Sequence, residues 1–246
     1  MTHDTWPVHP LAPEVRLRVT RPMPALAPPL EAEVERLWRA ARARDPRLFN
    51  GRVFSADRIA PALIEGHWTE YRRVVARMAR PDLHPALPVA PMAAGGVILG
   101  GDGADAFVLF GRRPADAVYQ AGEWQLPPAG SLDPSAADGD GIDPARQLLS
   151  EMGEELGLPP AAVANPRPLC VVEHPGSGVL DFGILVRTDW SPAAILAAHA
   201  GAPHREYEAL EAVPLADLPA FLARHAGHVT RQAFAFLAHA GALAAA

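Results

Sequence analysis

Three carboxylates within five residues, Glu151, Glu154 and Glu155, have the side-chain type and the spacing for chemistry. On a helix they would stand at i, i+3 and i+4, where like charges repel by ~0.2–0.5 kcal/mol per pair. A divalent cation removes that repulsion. Hard cations take oxygen ligands, and Mg2+ in particular is held by one or two carboxylates together with substrate phosphates and retained waters. The plainer alternative for the same residues is a solvated acidic helix face, the usual fate of a run of charge.

The element that must carry them is the stretch from Asp143 to Leu158, DPARQLLSEMGEELGL. Asp143 is a ready N-cap, Pro144 suits the first helical turn, and Gly157 stands where a helix would close. At roughly 100° per residue, Leu148, Leu149, Met152 and Leu156 share one side and the three glutamates gather on another. One face is oily and the other is acidic. The loop that feeds this helix is WQLPPAGSLD, from Trp124 to Asp133.

Together these two pieces resemble the Nudix hydrolase family. Its box ends in Arg-Glu-hydrophobe-x-Glu-Glu-x-Gly-hydrophobe, and this chain has Ser150-Glu151-Met152-Gly153-Glu154-Glu155-Leu156-Gly157-Leu158, with Ser150 in place of the Arg. Trp124, Pro127, Pro128, Ala129, Gly130 and Asp133 look like the Trp-x-x-Pro-Gly-Gly approach, across a longer spacer. The earlier Glu of the box falls near Ile142, and the nearby acid is Asp140. Arg146, one turn before Ser150, is placed to take over the missing Arg's charge. The resemblance implies Mg2+ or Mn2+ held by Glu151, Glu154 and Glu155 with the carbonyl of Gly130.

The resemblance also places Trp124 and the strand-end pair Arg112 and Arg113 at the substrate. A guanidinium fork suits phosphate, although two solvated arginines would read the same in sequence. A later run, Glu206-Tyr207-Glu208-Ala209-Leu210-Glu211, is similar to the family's late Glu-rich strand, so the general base is Glu154 or Glu155 of the helix or one of Glu206, Glu208 and Glu211, any of which could instead be a further ligand. Spacing does not choose among them. Leu48-Phe49-Asn50-Gly51, followed by a hydrophobic strand and then by Thr69-Glu70-Tyr71-Arg72 at the start of a helix, resembles the N-terminal region of members that hydrolyse uridine diphosphosugars. The residues alone read as a turn at Asn50-Gly51.

Composition removes other classes. The chain of 246 residues has 22 basic side chains, all Arg, against 28 acidic ones, a net charge of -6. Without Lys there is no Walker A loop and no Schiff-base enzyme. Without a basic run there is no broad nucleic-acid surface. The single cysteine, Cys170, excludes an intrachain disulfide and a multi-cysteine zinc site, and its apolar flanks read as packing. No apolar run is long enough for a membrane span, and the first residues lack a signal peptide's pattern, so a cytoplasmic protein is expected.

Local patterns place the remaining elements. A strand is expected at Val15–Thr20, a helix from Leu30 to Ala41, a second from Thr69 to Arg80, and a Pro-rich linker from Pro81 to Pro91. Two strands follow, joined through a Gly100–Gly103 hairpin turn, then strands at Leu169–Val172 and Asp181–Thr188. Helices are expected from Ser191 and over Ala233–Ala246, the last with Phe234 and Leu237 inward. Gly176-Ser177-Gly178 is a turn and not a nucleophile elbow. His225 and His228 have no third zinc ligand.

The resemblance implies an α/β fold, a Nudix-type α/β/α sandwich around a mixed sheet over residues 88–246, with an N-terminal α+β extension over 1–87. The expected function is Mg2+- or Mn2+-dependent hydrolysis of the pyrophosphate bond in a nucleoside diphosphate linked to another moiety, with uridine diphosphosugars ranked first. The partner is that small molecule, with no nucleic acid and no membrane. The oligomeric state is left open. The alternatives are a catalytically silent Nudix-fold protein that binds or senses a nucleotide, and a partner-binding domain that keeps the helix for packing.

Overall fold

The segment Met92–Gly100 is buried on both sides, with Met92, Ala94 and Ile98 in one apolar cluster and Val97 and Leu99 in another. A strand's two-residue period sends alternate side chains to opposite faces, so such a strand belongs inside a layered sheet. The structure is a computed structural model that describes residues 6–117 and 120–243. In chain order its elements are β1 (Val8–Pro10), β2 (Arg16–Val19), α1 (Pro28–Arg44), β3 (Arg52–Ala60), β4 (Leu63–Glu70), α2 (Tyr71–Ala79), β5 (Met92–Gly100), β6 (Phe107–Arg112), β7 (Trp124–Gln125) and β8 (Ala129–Ser131). There follow β9 (Ala137–Asp138), β10 (Gly141–Ile142), α3 (Pro144–Leu156), β11 (Ala164–Glu173), β12 (Leu180–Thr188), α4 (Pro192–Ala200), β13 (Ala209–Pro214), α5 (Leu218–Arg224) and α6 (Arg231–His239).

The main sheet runs β1-β11-β12-β5-β6-β13, with β7 added to β6 and β8 to β5. It is mixed: β12 and β5 are parallel, Phe182 opposite Ala94, while the other pairs are antiparallel. Leu148, Met152 and Leu156 of α3 and Ile195 of α4 join the cluster of Met92, Ala94 and Ile98. Leu218 and Phe221 of α5 and Ala233, Phe236 and Leu237 of α6 join the cluster of Val97 and Leu99. Helices therefore cover both faces of the sheet, the expected α/β/α sandwich.

A second sheet, β3-β4-β2-β10-β9, carries the N-terminal part of the chain. Val53 of β3 and Val74 and Ala76 of α2 pack with Val34 of α1 in a third cluster. Residues on either side of position 88 meet in each sheet, since β1 pairs with β11 and β10 pairs with β2.

Several local expectations change. The Pro81–Pro91 stretch is not a free linker, because Leu87 and Val89 are buried in the third cluster. The second helix starts at Tyr71 and not at Thr69, since Thr69 and Glu70 close β4 opposite Val53 and Arg52. Asn50-Gly51 is not a hairpin turn: Asn50 Oδ1 accepts the Arg72 amide at 2.9 Å and the Gly51 carbonyl accepts the Tyr71 amide, so the pair caps α2 from a distance in sequence. The real hairpin is β3-β4. In α6 it is Phe236 and Leu237 that are buried, whereas Phe234 is 39% exposed, because the inward side of the helix follows Ala233, Phe236 and Leu237. Residues 244–246 of that expected helix lie outside the described ones. Among the described residues no helix is long and apolar enough to cross a membrane.

Candidate active site

Helix α3 is built as its sequence dictates. The Asp143 carboxylate accepts the amides of Ala145 at 2.9 Å and Arg146 at 3.3 Å, and Gly157 ends the helix at φ +68°. The Leu158 amide bonds back to the Met152 carbonyl at 3.2 Å. Leu148, Met152 and Leu156 are fully buried, each worth ~1.5–3 kcal/mol of apolar burial. That outweighs the carboxylate repulsion of a few tenths of a kcal/mol, about 0.2–0.5 per pair, so packing holds the acidic face in place. Met152→Asp is the single change that would break it.

The three glutamates meet different surroundings. Glu155 is only 5% exposed. Its Oε2 accepts the Tyr207 hydroxyl at 2.9 Å and the Ala129 amide at 3.3 Å. Tyr207 in turn accepts from Gln125 Nε2 at 2.8 Å, and a side chain at Gly111 would collide with the tyrosine ring. Glu151 Oε1 accepts from Gln147 Nε2 at 2.8 Å, one helical turn back. A Cβ at Gly130 would overlap that same oxygen, so only glycine lets the loop close over the carboxylate. Glu154 is exposed, accepting from Ser150 Oγ at 3.1 Å and lying 3.4 Å from His204 Nδ1.

Burial raises the Glu151 carboxyl, opposed by its bond from Gln147, and the negative charges of Glu154, Asp133 and Glu206 raise it further. Burial drives Glu155 well above the usual carboxylate range, and the Glu151 charge adds to it. Glu206 raises both. It is the acid of the late run that reaches this site, held by Arg113 Nη1 at 2.7 Å. Glu208 instead pairs with Arg112 Nε at 2.8 Å, and Glu211 is exposed on β13 opposite Phe110.

The Arg112 guanidinium also lies over Trp124, 5.8 Å from the ring centroid. Trp124 itself is a core residue, packed edge-on to Phe221 and against His225. Its neighbour Gln125 lines a cavity of about 170 Å3 together with Arg113, Gly130, Tyr71 and Met78. That cavity adjoins the carboxylates across Ala129 and Gly130.

Two expected substitutes do not join the site. Arg146 turns away to donate to the Ala137 carbonyl at 3.1 Å, and it is Gln147 that supports Glu151. Asp140 pairs with Arg18 of the second sheet at 3.4 Å, on an exposed turn. Sequence reasoning missed Tyr207 and Gln147. Gln147 was detectable from its i, i+4 spacing to Glu151; Tyr207 had no signal beyond lying between two glutamates. Cys170 is fully buried, and burial pushes its thiol up to about 12, the state of a packing residue.

The donor set has the chemistry a hard cation needs. Among the described residues no three acidic, His or Cys side chains converge as a ready metal cage. A cage is not required, because Mg2+ is commonly held by one or two carboxylates with waters and phosphates. Glu151 and Glu155 are two carboxylates of that kind, the Glu151 charge acting on Glu155 and the Glu206 charge on both.

No family model matches the chain, and no curated protein matches it. Solved structures to which it is similar include a Nudix hydrolase from Alicyclobacillus acidocaldarius, 18% identical, covering 63% of this chain and 91% of that one, with a TM-score of 0.44. The Ap4A hydrolase of C. elegans is 17% identical over 64% of this chain and 100% of its own, with a TM-score of 0.42. The Nudix domain of Shewanella oneidensis NrtR, complexed with ADP ribose, is 15% identical over 52% of this chain and 75% of its own, with a TM-score of 0.38. Similarity of this size leaves the functional argument to the chain's own residues.

Proposed function

We propose that the protein is a Nudix-type hydrolase that cleaves the pyrophosphate bond of a nucleoside diphosphate linked to another moiety, with uridine diphosphosugars the first class to try. The observation that carries this reading is the pair Glu151 and Glu155, closed over by Gly130 and Ala129 beside a cavity that also holds Arg113. Mg2+ or Mn2+ would be held by Glu151 and Glu155, and when bound supplies charge neutralisation of the diphosphate and activation of a water.

The chain's own residues do the rest. Arg113 offers a planar fork to phosphate oxygens at the cavity wall. Tyr207 and the Ala129 amide fix the Glu155 carboxylate before substrate arrives. Glu206, tethered to Arg113, is the acid from the late run best placed to accept a proton from the attacking water. Glu154, exposed and bonded to Ser150 with His204 beside it, adds its negative charge to the potential at Glu151.

One observation favours a second reading, a nucleotide binder without turnover: Ser150 stands where the box of the resembling family has Arg, and Arg146 donates to the Ala137 carbonyl instead of replacing that charge. The experiment that separates the two is a panel of uridine diphosphosugars, ADP-ribose, dinucleoside polyphosphates and coenzyme A incubated with Mg2+, products separated by chromatography. The hydrolase reading expects metal-dependent cleavage of the diphosphate bridge in at least one compound. Thermal stabilisation by a nucleotide with no product at high enzyme would select the binder.

A further inference from the structure

At the end of the cavity away from Gly130 stands a carboxylate that the hydrolytic reading leaves unused. Asp181 lines the cavity, and its side chain is only 14% exposed. Its Oδ2 accepts a hydrogen bond from Nε2 of His174, which is itself buried and covered by the Trp6 ring at 4.1 Å. This carboxylate is fixed from behind by a buried donor, and among the described residues no hydrogen bond occupies its other oxygen, Oδ1.

Strand register gives the scale. Asp181 lies opposite Ala93, and Ala93 lies opposite Ser131, so two strand spacings, about 10 Å in all, separate Asp181 from the Gly130–Ser131 edge. The cavity between holds about 170 Å3, close to the ~150 Å3 that accommodates a benzene ring. That is room for one ring. Tyr71, Val74 and Met78 of α2 give it an apolar wall, and Gln125 and Gln232 add amide groups. A phosphate is unsuited to the Asp181 end, since two anions would face each other in a half-enclosed space. An ionised carboxylate accepts hydrogen bonds and donates none, so it selects a group rich in O–H or N–H.

We infer that Asp181, held by His174, is the specificity-determining acceptor for a single uncharged ring bearing hydroxyl or N–H donors, which is the sugar or the base of the nucleotide derivative. The inference rests on reading the carboxylate pair as the phosphate end of the same cleft. The full chain is tested without metal and without any phosphate compound, by saturation-transfer NMR with uridine, adenosine, glucose and permethylated glucose at millimolar concentration.

The expected result is transfer to at least one of the unmodified rings, uridine and adenosine reporting a base or ribose and glucose reporting a hexose. Permethylated glucose, which lacks donors, shows none. In Asp181→Asn, checked for folding by thermal melting, the signal falls at least several-fold, and Met78→Trp abolishes it by filling the cavity that Met78 lines. Absence of transfer from every ring to wild type, equal transfer to permethylated and free glucose, or undiminished transfer to folded Asp181→Asn would overturn the inference. Should Asp181→Asn not fold, the permethylated control and Met78→Trp decide the matter. Ring binding without hydrolysis would leave the inference standing and defeat the hydrolase reading; hydrolysis with no ring binding would do the reverse.

Discussion

The Tyr207 hydroxyl donates to Glu155 Oε2 at 2.9 Å inside the protein, where both side chains are almost wholly removed from water. Tyr207 receives the Gln125 amide in the same place, so the phenol joins the cavity wall to the acidic helix. Its own acidity is suppressed by burial and by the adjacent carboxylate, and it stays a donor. Tyr207→Phe removes the donor and keeps the ring that Gly111 makes room for. Loss of a group that orients a metal-binding carboxylate costs about 10–100-fold in affinity or activity. Tyr207→Phe is therefore expected to weaken the apparent metal activation constant by that order with a small drop in melting temperature, measured by rate against Mn2+ concentration. An unchanged constant would reduce Tyr207 to packing.

Gly130 makes a second, sharper prediction. Because a Cβ there would overlap Glu151 Oε1, Gly130→Ala must displace either the loop or the carboxylate. Activity is expected to fall by at least an order of magnitude, while far-ultraviolet circular dichroism stays that of the folded protein. Full activity in Gly130→Ala would show that Glu151 has no fixed position to lose.

Acid sensitivity is expected from the second sheet. His67 Nδ1 donates to Asp57 at 3.1 Å, and Arg21 forks onto the same carboxylate. Burial lowers the His67 pKa against the pull of Asp57, and its Nε2 is buried without a partner. The folded state therefore binds that proton less readily than the unfolded chain, whose histidine titrates at about 6.5. Stability is full above that pH and declines as pH falls through the lowered His67 value. Asp57 acts in the same direction at lower pH: burial raises its pKa, but Arg21 and His67 lower it more, so its contribution fades as pH falls below about 4. Urea titrations between pH 7.5 and 5 should show this decline in wild type and a flatter profile in His67→Gln. Parallel profiles would contradict it.

Much of this was legible in sequence where chemistry is local. The cap at Asp143, the closing Gly157 and the oily face of α3 follow from spacing within one helix, and the structure has all three. What spacing does not carry is the partner across the fold. Three glutamates on one helix face look equivalent in sequence; Tyr207 and Ala129, brought in by β13's approach and β8, bury Glu155 and leave Glu154 outside. The β3-β4 hairpin was missed because Asn50-Gly51 is a strong turn signal, yet its side chain and carbonyl cap a helix twenty residues on. The 81–91 stretch looked like linker because prolines mask two buried anchors, Leu87 and Val89.

The central claim is that Glu151 and Glu155 together hold a divalent cation, and electron paramagnetic resonance titration with Mn2+ tests it most directly. Wild type is expected to bind Mn2+ with an affinity that drops at least tenfold in Glu155→Gln and in Glu151→Gln, both still folded, while Glu211→Gln on the exposed strand changes nothing. Equal Mn2+ affinity in wild type and Glu155→Gln would contradict the account.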